Sequence, residues 1–272
     1  MIEISDKEYR AISDFMRTNY GIKLGEEKKS LVTGRLHNLL IEKKFKSFSE
    51  YYDYVISDKS GDALTELINR ITTNYTYFMR EPNHFDFFKD IVLPGLASNP
   101  NNRDLRIWSA GCSSGEEAYT ISMVFQDYKK NNNSNMNAKI LATDISNKAL
   151  EAALKAEYPK ESIDTLPLNW KSEYFTIGSD GKGTVNNQTK NMIKLAYLNL
   201  MDTQFPFRKK FHVIFCRNVM IYFDNKKKDE LVERFYDALE PGGYLFIGHS
   251  EALNRDKTRF KYIKPAIYRK EK

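Results

Sequence analysis

The stretch IWSAGCSSGEEAYTISM, which runs from Ile107 to Met123, decides how the chain folds. It passes from an apolar run through a turn with two glycines into a helical pattern, so it predicts a buried strand, a turn and a helix. This order is typical of α/β sheets that bind nucleotide-like ligands at the carboxyl ends of their strands. We therefore expect the ligand of this chain to lie at the turn.

The turn does not match a phosphate-binding loop. The Walker pattern ends in Gly-Lys-Ser/Thr, whereas Gly115 is followed here by Glu116 and Glu117. The pattern G-x-G-x-x-G is also absent, because the turn contains only Gly111 and Gly115. Two carboxylates at a helix N-terminus would repel a polyphosphate. The expected ligand approaches the backbone closely and carries no phosphate. S-adenosylmethionine fits, because it has a sulfonium, an ammonium and a ribose.

Strand and helix patterns alternate from Leu105 onward, which predicts a parallel, doubly wound sheet. The predicted strands read LRIWSAG, AKILATD, FHVIFC and GYLFIGHS, and FKYIKPAIYRK predicts a last edge strand. One segment, at about 170–197, interrupts the alternation. It holds the turn GSDGKG between two β-prone runs, so we expect a small antiparallel insertion there.

The residues before Leu105 carry helical patterns only. Ser5 and Glu8 predict a capping box at the start of the first helix, and Gly21 predicts its end. Ser60 is the predicted N-cap of a fourth helix. These patterns predict an all-α N-terminal domain.

The segment TTNYTYFMREPNHF joins the helical part to the α/β part. Its proline predicts a turn, followed by a helix from about Asn83 to Val92 that Pro94 and Gly95 should stop. The expected organisation is a helical domain, a linker with its helix, and an α/β domain that contains the insertion, over residues 1–72, 73–94 and 95–272.

The composition excludes several classes of protein. The sequence has neither a run of about 18 apolar residues nor a basic-then-apolar leader, so we expect no membrane span and no signal peptide. Its two cysteines, Cys112 and Cys216, suit a reducing cytosol. They supply neither a disulfide framework nor a metal-ligand pattern, so no metal is expected. A net charge of +6 allows an acidic partner without identifying one.

Asp144 ends the predicted strand AKILATD. An acidic residue at this position can accept hydrogen bonds from two ribose hydroxyls. It can also cap the next helix, since aspartate is a good N-cap. Because the glycine turn lies about 30 residues earlier, we favour the ribose role.

The stretch FCRNVMIYF, from Phe215 to Phe223, follows another apolar strand. Cys216, Arg217 and Asn218 are therefore expected at a strand end beside the ligand. We interpret Cys216 as a small buried apolar residue. The proline-cysteine pair of cytosine C5-methyltransferases is absent, and so is the Asn/Asp-Pro-Pro-Tyr/Phe loop of amino-group methyltransferases. Both absences count against chemistry on DNA bases.

Three ordered patterns together resemble the chemotaxis receptor methyltransferases of the CheR type: TTNYTYFMREPNHF, WSAGCSSGEEAYTISM and FCRNVMIYF…PGGYLFIGHSE. The helical start also suits that family. The resemblance implies a Rossmann-like methyltransferase sheet that uses S-adenosylmethionine and releases S-adenosylhomocysteine. It implies methylation of glutamate side chains on chemoreceptor cytoplasmic helices, giving glutamyl methyl esters. Two departures, Ala118 for a frequent proline and Met79 for a phenylalanine, remove no polar contact.

Carried over position by position, the resemblance implies which residues form the site. Arg80 and Tyr222 would flank the reaction centre. Cofactor contacts are implied for Asn74, Thr76, Arg80, Ala110, Glu117, Asp144, Asn199, Leu200, Cys216 and Arg217.

A glutamate nucleophile is already ionised at neutral pH, so it needs no general base. Catalysis then depends on positioning and on removal of water from the carboxylate. Arg80 is our candidate for the cation that orients the substrate or the cofactor carboxylate, because arginine pairs with carboxylates in a bidentate manner. The alternative is a surface ion pair of Arg80 with Glu81 or Asp86, which would contribute little.

The helical domain offers a basic surface. Between Lys23 and Lys46, seven lysines and arginines stand against three glutamates. We take Lys28, Lys29 and Arg35 as candidate contacts to a glutamate-rich receptor helix. The alternative is an ordinary solvated face. Nucleic acid is not an expected partner, because few aromatic residues interrupt the basic run.

The leading hypothesis is a cytoplasmic, monomeric protein-glutamate O-methyltransferase. One alternative is an S-adenosylmethionine methyltransferase that acts on RNA or a small molecule. Another is a non-catalytic regulator that binds S-adenosylmethionine. The residues leave open which receptor glutamates are modified and whether the insertion docks a receptor tail. We interpret His249 as a hydrogen-bonded structural residue.

Overall fold

The computed structural model describes residues 2–72, 75–99 and 103–271. The first of these ranges holds four α-helices, which pack around one apolar core. Within the three ranges, none of the helices combines the length and the apolar character needed to cross a membrane. The helices of the first range are α1 Asp6–Tyr20, α2 Lys29–Glu42, α3 Phe48–Ser57 and α4 Asp62–Ile71.

The predicted ends of α1 are confirmed. The Ser5 hydroxyl accepts the Glu8 N–H and the Glu8 carboxylate accepts the Ser5 N–H, which is a capping box. Gly21 ends the helix at φ 68°. The predicted cap of α4 is wrong by one residue, since Gly61 holds that position at φ 79°. The Ser60 hydroxyl accepts the Asp62 N–H at 3.2 Å and the carboxylate of Asp58 accepts the Ala63 N–H at 2.8 Å, so both residues satisfy the first turn from outside the helix.

The helix predicted to stop at Pro94 continues beyond it. It comprises α5 Pro82–Phe87, a π-helical turn Phe88–Val92 and α6 Leu93–Ala97. The wider turn shifts the hydrogen-bond register, so that Pro94 falls in the first turn of α6, where a missing N–H has no consequence. The proline therefore begins a new segment instead of ending the helix.

A seven-stranded sheet forms the centre of the α/β part, in the order β6-β2-β1-β7-β8-β10-β9. The first five strands in this order pair in parallel, as predicted. The predicted last edge strand is instead a hairpin, in which β10 runs antiparallel to both β8 and β9. The strands are β1 Asp104–Ala110, β2 Asn137–Asp144, β6 Ile193–Tyr197, β7 Phe211–Cys216, β8 Leu239–Ile247, β9 Lys261–Lys264 and β10 Ile267–Arg269.

Helices cover both faces of this sheet, which makes it doubly wound. Neighbouring residues of β1 enter opposite cores: Ile107 packs with the core that includes Tyr119 of α7, and Trp108 packs with Phe235 of α12. The main covering helices are α7 Glu116–Asn131, α8 Asn147–Lys155 and α12 Asn225–Ala238. The predicted α/β class is therefore confirmed.

The small antiparallel sheet exists, but its bounds differ from the predicted 170–197. It has the order β3-β5-β4, and the strand over residues 193–197 belongs to the main sheet, parallel to β2. Its first strand has only two residues, too few to produce a sequence pattern. The insertion contains β3 Glu157–Tyr158, α9 Lys160–Asp164, α10 Leu168–Tyr174, β4 Phe175–Ile177, β5 Gly183–Val185 and α11 Asn187–Lys190.

Two glycines provide a matched test of the fold. Gly115 has φ +99°, and a Cβ there would lie 2.9 Å from Ala153 Cβ, whereas a Cβ on Gly34 of α2 would meet nothing within 4 Å. We expect Gly115→Ala to lower the free energy of unfolding by about 1–2 kcal/mol or more. Gly34→Ala should raise it by about 0.5–1 kcal/mol. Urea denaturation measures both, and equal effects would contradict this account.

Candidate active site

A cavity of about 380 Å³ opens where β1, β2 and β7 end, and residues of the helical domain close its other side. The strand order reverses direction between β1 and β7, and ligands of such sheets bind at this reversal. Eight of the predicted site residues line the cavity: Thr76, Arg80, Glu117, Asp144, Asn199, Leu200, Arg217 and Tyr222.

The glycines of the turn after β1 are needed for packing. Gly111 has φ +92°, and a Cβ on it would lie 2.4 Å from Val219 Cγ2. Gly115 packs against α8, as the Ala153 contact shows. Our expectation that both glycines let a ligand approach the backbone is therefore only partly right, because Gly111 lines the cavity and Gly115 does not.

The two glutamates of the turn also differ. Glu117 lines the cavity, accepts a hydrogen bond from the Ser109 hydroxyl at 2.7 Å and pairs with a guanidinium. Glu116 is buried outside the cavity, where the Ser114 hydroxyl donates to its carboxylate at 2.7 Å. The sequence interpretation used both carboxylates to exclude a phosphate and named only Glu117 as a cofactor contact; the fold presents Glu117 alone to the cavity. Burial raises the pKa of both groups.

Asp144 lies at the cavity wall and holds the turn. One carboxylate oxygen accepts the Ser113 N–H at 2.8 Å, and the other accepts the Ser146 N–H at 2.9 Å. Ser146, and not Asp144, caps α8, which removes the alternative interpretation. Each carboxylate oxygen has a second lone pair, so Asp144 retains acceptor capacity toward the cavity.

Arg217 is the centre of a buried ion network. Its guanidinium contacts Glu117 Oε2 at 3.0 Å and Glu81 Oε2 at 3.2 Å, and it donates to the main-chain carbonyl of Arg80. Burial alone would raise the pKa of the Glu81 carboxyl. The hydrogen bond from the main-chain N–H of His249 and the charge on Arg217 outweigh burial, so the pKa of this carboxyl is lowered. Arg217 therefore joins β7, α7 and the linker before α5.

Arg80 itself differs from Arg217. Within the described ranges no carboxylate pairs with it, so the predicted alternative, an ion pair with Glu81 or Asp86, is not what the structure contains. Its guanidinium donates to the carbonyl of Tyr75 at the rim of the cavity. Arg80 thus keeps an unneutralised charge beside the site.

Main-chain contacts from the helical domain place Tyr222. The Lys23 N–H donates to the Tyr222 carbonyl at 2.7 Å, and Ile22 forms a β-bridge with Phe223. Asn199 makes a similar connection, because its side-chain amide donates to the carbonyl of Asn19 at 2.9 Å. The helical domain therefore forms part of the site.

Two predicted cofactor contacts do not line the cavity. Ala110 and Cys216 are fully buried in the core, so only their main chains could reach a ligand. Burial raises the pKa of the Cys216 thiol well above its usual range, which agrees with its interpretation as an apolar residue. Asn74 lies outside the described residues.

The three basic candidates lie on the helical domain, away from the cavity lining. Lys29 forms an ion pair with Asp6, and Lys28 donates to the Lys23 carbonyl at 3.4 Å. Arg35 donates to the Ile71 carbonyl at 2.6 Å, at the end of α4. These contacts give Lys29 and Arg35 structural roles, so contact with a partner remains a proposal for this surface.

Sequence reasoning missed Glu251, a buried carboxylate that fixes the cavity floor. It accepts main-chain N–H groups from Asn218 at 3.0 Å, from Ile221 at 3.1 Å and from Gly248. These bonds hold Asn218 at φ 59°, an unusual value for a residue other than glycine. The position of Glu251, just after the strand end in GHSE, is the signal that could have identified it.

Glu81, His84 and His249 form a second cluster that the sequence did not predict. One potential ligand atom from each lies within 4.8 Å of the others. The Glu81 carboxylate already accepts the main-chain N–H of His249 at 3.1 Å and pairs with Arg217. The guanidinium therefore supplies the positive charge at this carboxylate, which disfavours a metal ion there.

Comparisons with known proteins identify the family that this chain resembles. Residues 74–268 match the family model described as CheR methyltransferase, SAM binding domain, and residues 7–72 match the model described as CheR methyltransferase, all-alpha domain. A chemotaxis protein methyltransferase of Borreliella burgdorferi is 45% identical, covering 99% of this chain and 96% of that protein. A chemotaxis protein methyltransferase of Escherichia coli is 34% identical, covering 98% of this chain and 92% of that protein. One from Pseudomonas aeruginosa is 34% identical, covering 95% of each.

The buried ring of His84 makes stability depend on pH. Burial first, and then the charge on Arg217, lower the pKa of His84 from 6.5 to about 3. Below pH 6.5 the imidazole takes up a proton in the unfolded chain but stays neutral in the folded chain. This residue therefore lowers the free energy of unfolding as the pH falls from 6.5. The effect reaches about 1.4 kcal/mol per pH unit.

We expect His84→Phe to remove this dependence, because phenylalanine keeps the edge contact with Phe246 and does not titrate. Urea denaturation at several values from pH 6.5 down to about 5 should show that the free energy of unfolding of the variant rises relative to that of the wild type as the pH falls. Parallel stability curves for the two proteins would show that His84 is not held neutral.

Proposed function

This chain belongs to the CheR methyltransferase family, and on that premise we propose that it methylates glutamate side chains of chemoreceptor cytoplasmic helices. Its activity is S-adenosylmethionine-dependent methylation in chemotaxis. The observation that carries the choice of a carboxylate substrate is Arg80, whose charge has no carboxylate partner in the described chain although it lies on the cavity rim. A glutamate side chain supplies the missing partner.

The residues of the cavity fit S-adenosylmethionine. Asp144 has acceptor capacity for ribose hydroxyls. Glu117 and Glu81 share the single guanidinium of Arg217, so this network keeps a net negative charge for a cationic group. Asn199 and Leu200 offer a polar and an apolar contact for the adenine. We propose these roles for them. The bound cofactor supplies an electrophilic methyl group.

The protein then acts by positioning. The substrate carboxylate is ionised near neutral pH, so no residue has to remove a proton from it. Arg80 orients the carboxylate, and Tyr222 offers its hydroxyl to the same group. The apolar lining from Ile68, Val219 and Ile221 excludes water from the carboxylate, which increases its reactivity. The product is a glutamyl methyl ester.

The basic surface of the helical domain would guide the receptor. Lys28, Lys29 and Arg35 lie in the region of net positive charge between Lys23 and Lys46. A glutamate-rich helix would be attracted to this surface, which would raise the rate of encounter. We propose that the protein acts in the cytoplasm, as a monomer.

The decisive test uses the chemical stability of the product. The protein is incubated with methyl-labelled S-adenosylmethionine and a chemoreceptor cytoplasmic fragment, and the labelled fragment is then treated with alkali. We expect volatile labelled methanol, because esters hydrolyse under these conditions. Label that survives alkali would contradict the proposal and indicate N-methylation or nucleic-acid methylation. Cofactor binding without any transfer would indicate a regulator.

Asp144→Asn tests the ribose role. Loss of the charged acceptor weakens hydrogen bonds worth about 1.5–3 kcal/mol each, so the Kd for S-adenosylmethionine should rise about tenfold or more. Isothermal titration calorimetry measures it. The matched control is Asp14→Asn, because Asp14 is exposed on α1, where it forms an ion pair with Arg17. An unchanged Kd for Asp144→Asn in a folded protein would remove Asp144 from the cofactor site.

A further inference from the structure

Two tyrosines of the linker surround the Arg80 guanidinium. Its central carbon lies 5.9 Å from the ring centroid of Tyr75 and 6.0 Å from that of Tyr77. The two rings are themselves 5.4 Å apart, at an angle of 52°. The Arg80 guanidinium also donates to the Tyr75 carbonyl. The linker therefore binds its own arginine through aromatic faces and one carbonyl.

Both rings lie at the rim of the cavity and face solvent. Tyr75 is 67% exposed and Tyr77 is 41% exposed, and both line the cavity. Neither ring contributes to the buried cores of the described chain. Their positions therefore follow from contacts with Arg80 and with each other, and not from packing of the fold.

The surroundings of Arg80 and Arg217 differ in how they affect the charge of the guanidinium. Two carboxylates neutralise the charge of Arg217, whose side chain is 2% exposed. Aromatic faces attract a guanidinium through the ring quadrupole and leave its net charge in place. Its N–H edges remain available for a bidentate pair with a carboxylate. An arginine held in this way loses less conformational freedom when a carboxylate arrives.

We propose that Tyr75 and Tyr77 form an aromatic clamp that holds the Arg80 guanidinium ready for the substrate carboxylate. They are specificity-determining residues for an acidic side chain. The inference rests on the proposed function, since it assigns Arg80 to the substrate and not to the carboxylate of the cofactor.

The test compares two double variants with the wild type. Tyr75→Leu with Tyr77→Leu removes the ring faces, and Tyr75→Phe with Tyr77→Phe keeps them and removes only the hydroxyls. We expect the leucine variant to raise the KM for the receptor fragment about fivefold or more, and the phenylalanine variant to stay within about twofold of the wild type. The Kd for S-adenosylmethionine should stay within about twofold for both, because the proposal gives neither ring a contact with the cofactor.

A double-mutant cycle with Arg80→Ala separates the clamp from a general structural role. If the rings act through Arg80, the leucine substitutions should have no further effect on KM once Arg80 is alanine. An undiminished effect in that background would overturn the proposal. So would an unchanged KM in the leucine variant, or a raised Kd for the cofactor with an unchanged KM.

Failure of the proposed function is distinguishable. In that case the wild-type protein would place no alkali-labile label on the receptor fragment. Failure of the clamp alone would leave the wild-type ester intact and the leucine variant indistinguishable from it.

Discussion

The buried charge of Arg217 is the constraint on which the site depends. A guanidinium removed from water needs compensating negative charge and hydrogen-bond acceptors. Glu117, Glu81 and the Arg80 carbonyl supply them from the start of α7 and from the linker before α5. Removing one of these partners would leave charge unpaired in a low-dielectric interior. The site is consequently assembled as one unit.

A buried carboxylate organises the main chain beside this network. Glu251 gathers N–H groups from the loops after β7 and β8, and burial raises the pKa of its carboxyl although those N–H groups favour the ionised form. Arg217 fixes side chains and Glu251 fixes backbone. The cavity is therefore held by a buried base and a buried acid, and their direct hydrogen-bond partners do not overlap.

Features governed by neighbouring residues could be predicted from the sequence. The capping box of Ser5 and Glu8 spans three positions, and Asp144 follows from a strand pattern that ends in an acid. Features governed by distant contacts could not. Arg217 and Glu81 are 136 residues apart, so no local pattern announces their pairing.

Three errors of prediction have physical causes of the same kind. The small sheet begins with a two-residue strand, which is defined only by its partner strand. The helix around Pro94 continues because a π turn absorbs the missing N–H, and neither residue type nor spacing encodes that adjustment. The N-cap of α4 lies one residue later than predicted, at Gly61, because Asp58 and Ser60 satisfy first-turn N–H groups from outside the helix.

The main-chain link between the helical domain and Tyr222 has an evolutionary consequence. The bridge of Ile22 with Phe223 and the bond from the Lys23 N–H require no particular side chain. Exposed side chains of α1 and α2 can therefore diverge, while the peptide groups that hold Tyr222 stay where they are. The surface of the helical domain and the position of Tyr222 can therefore change separately, although main-chain contacts join the two parts.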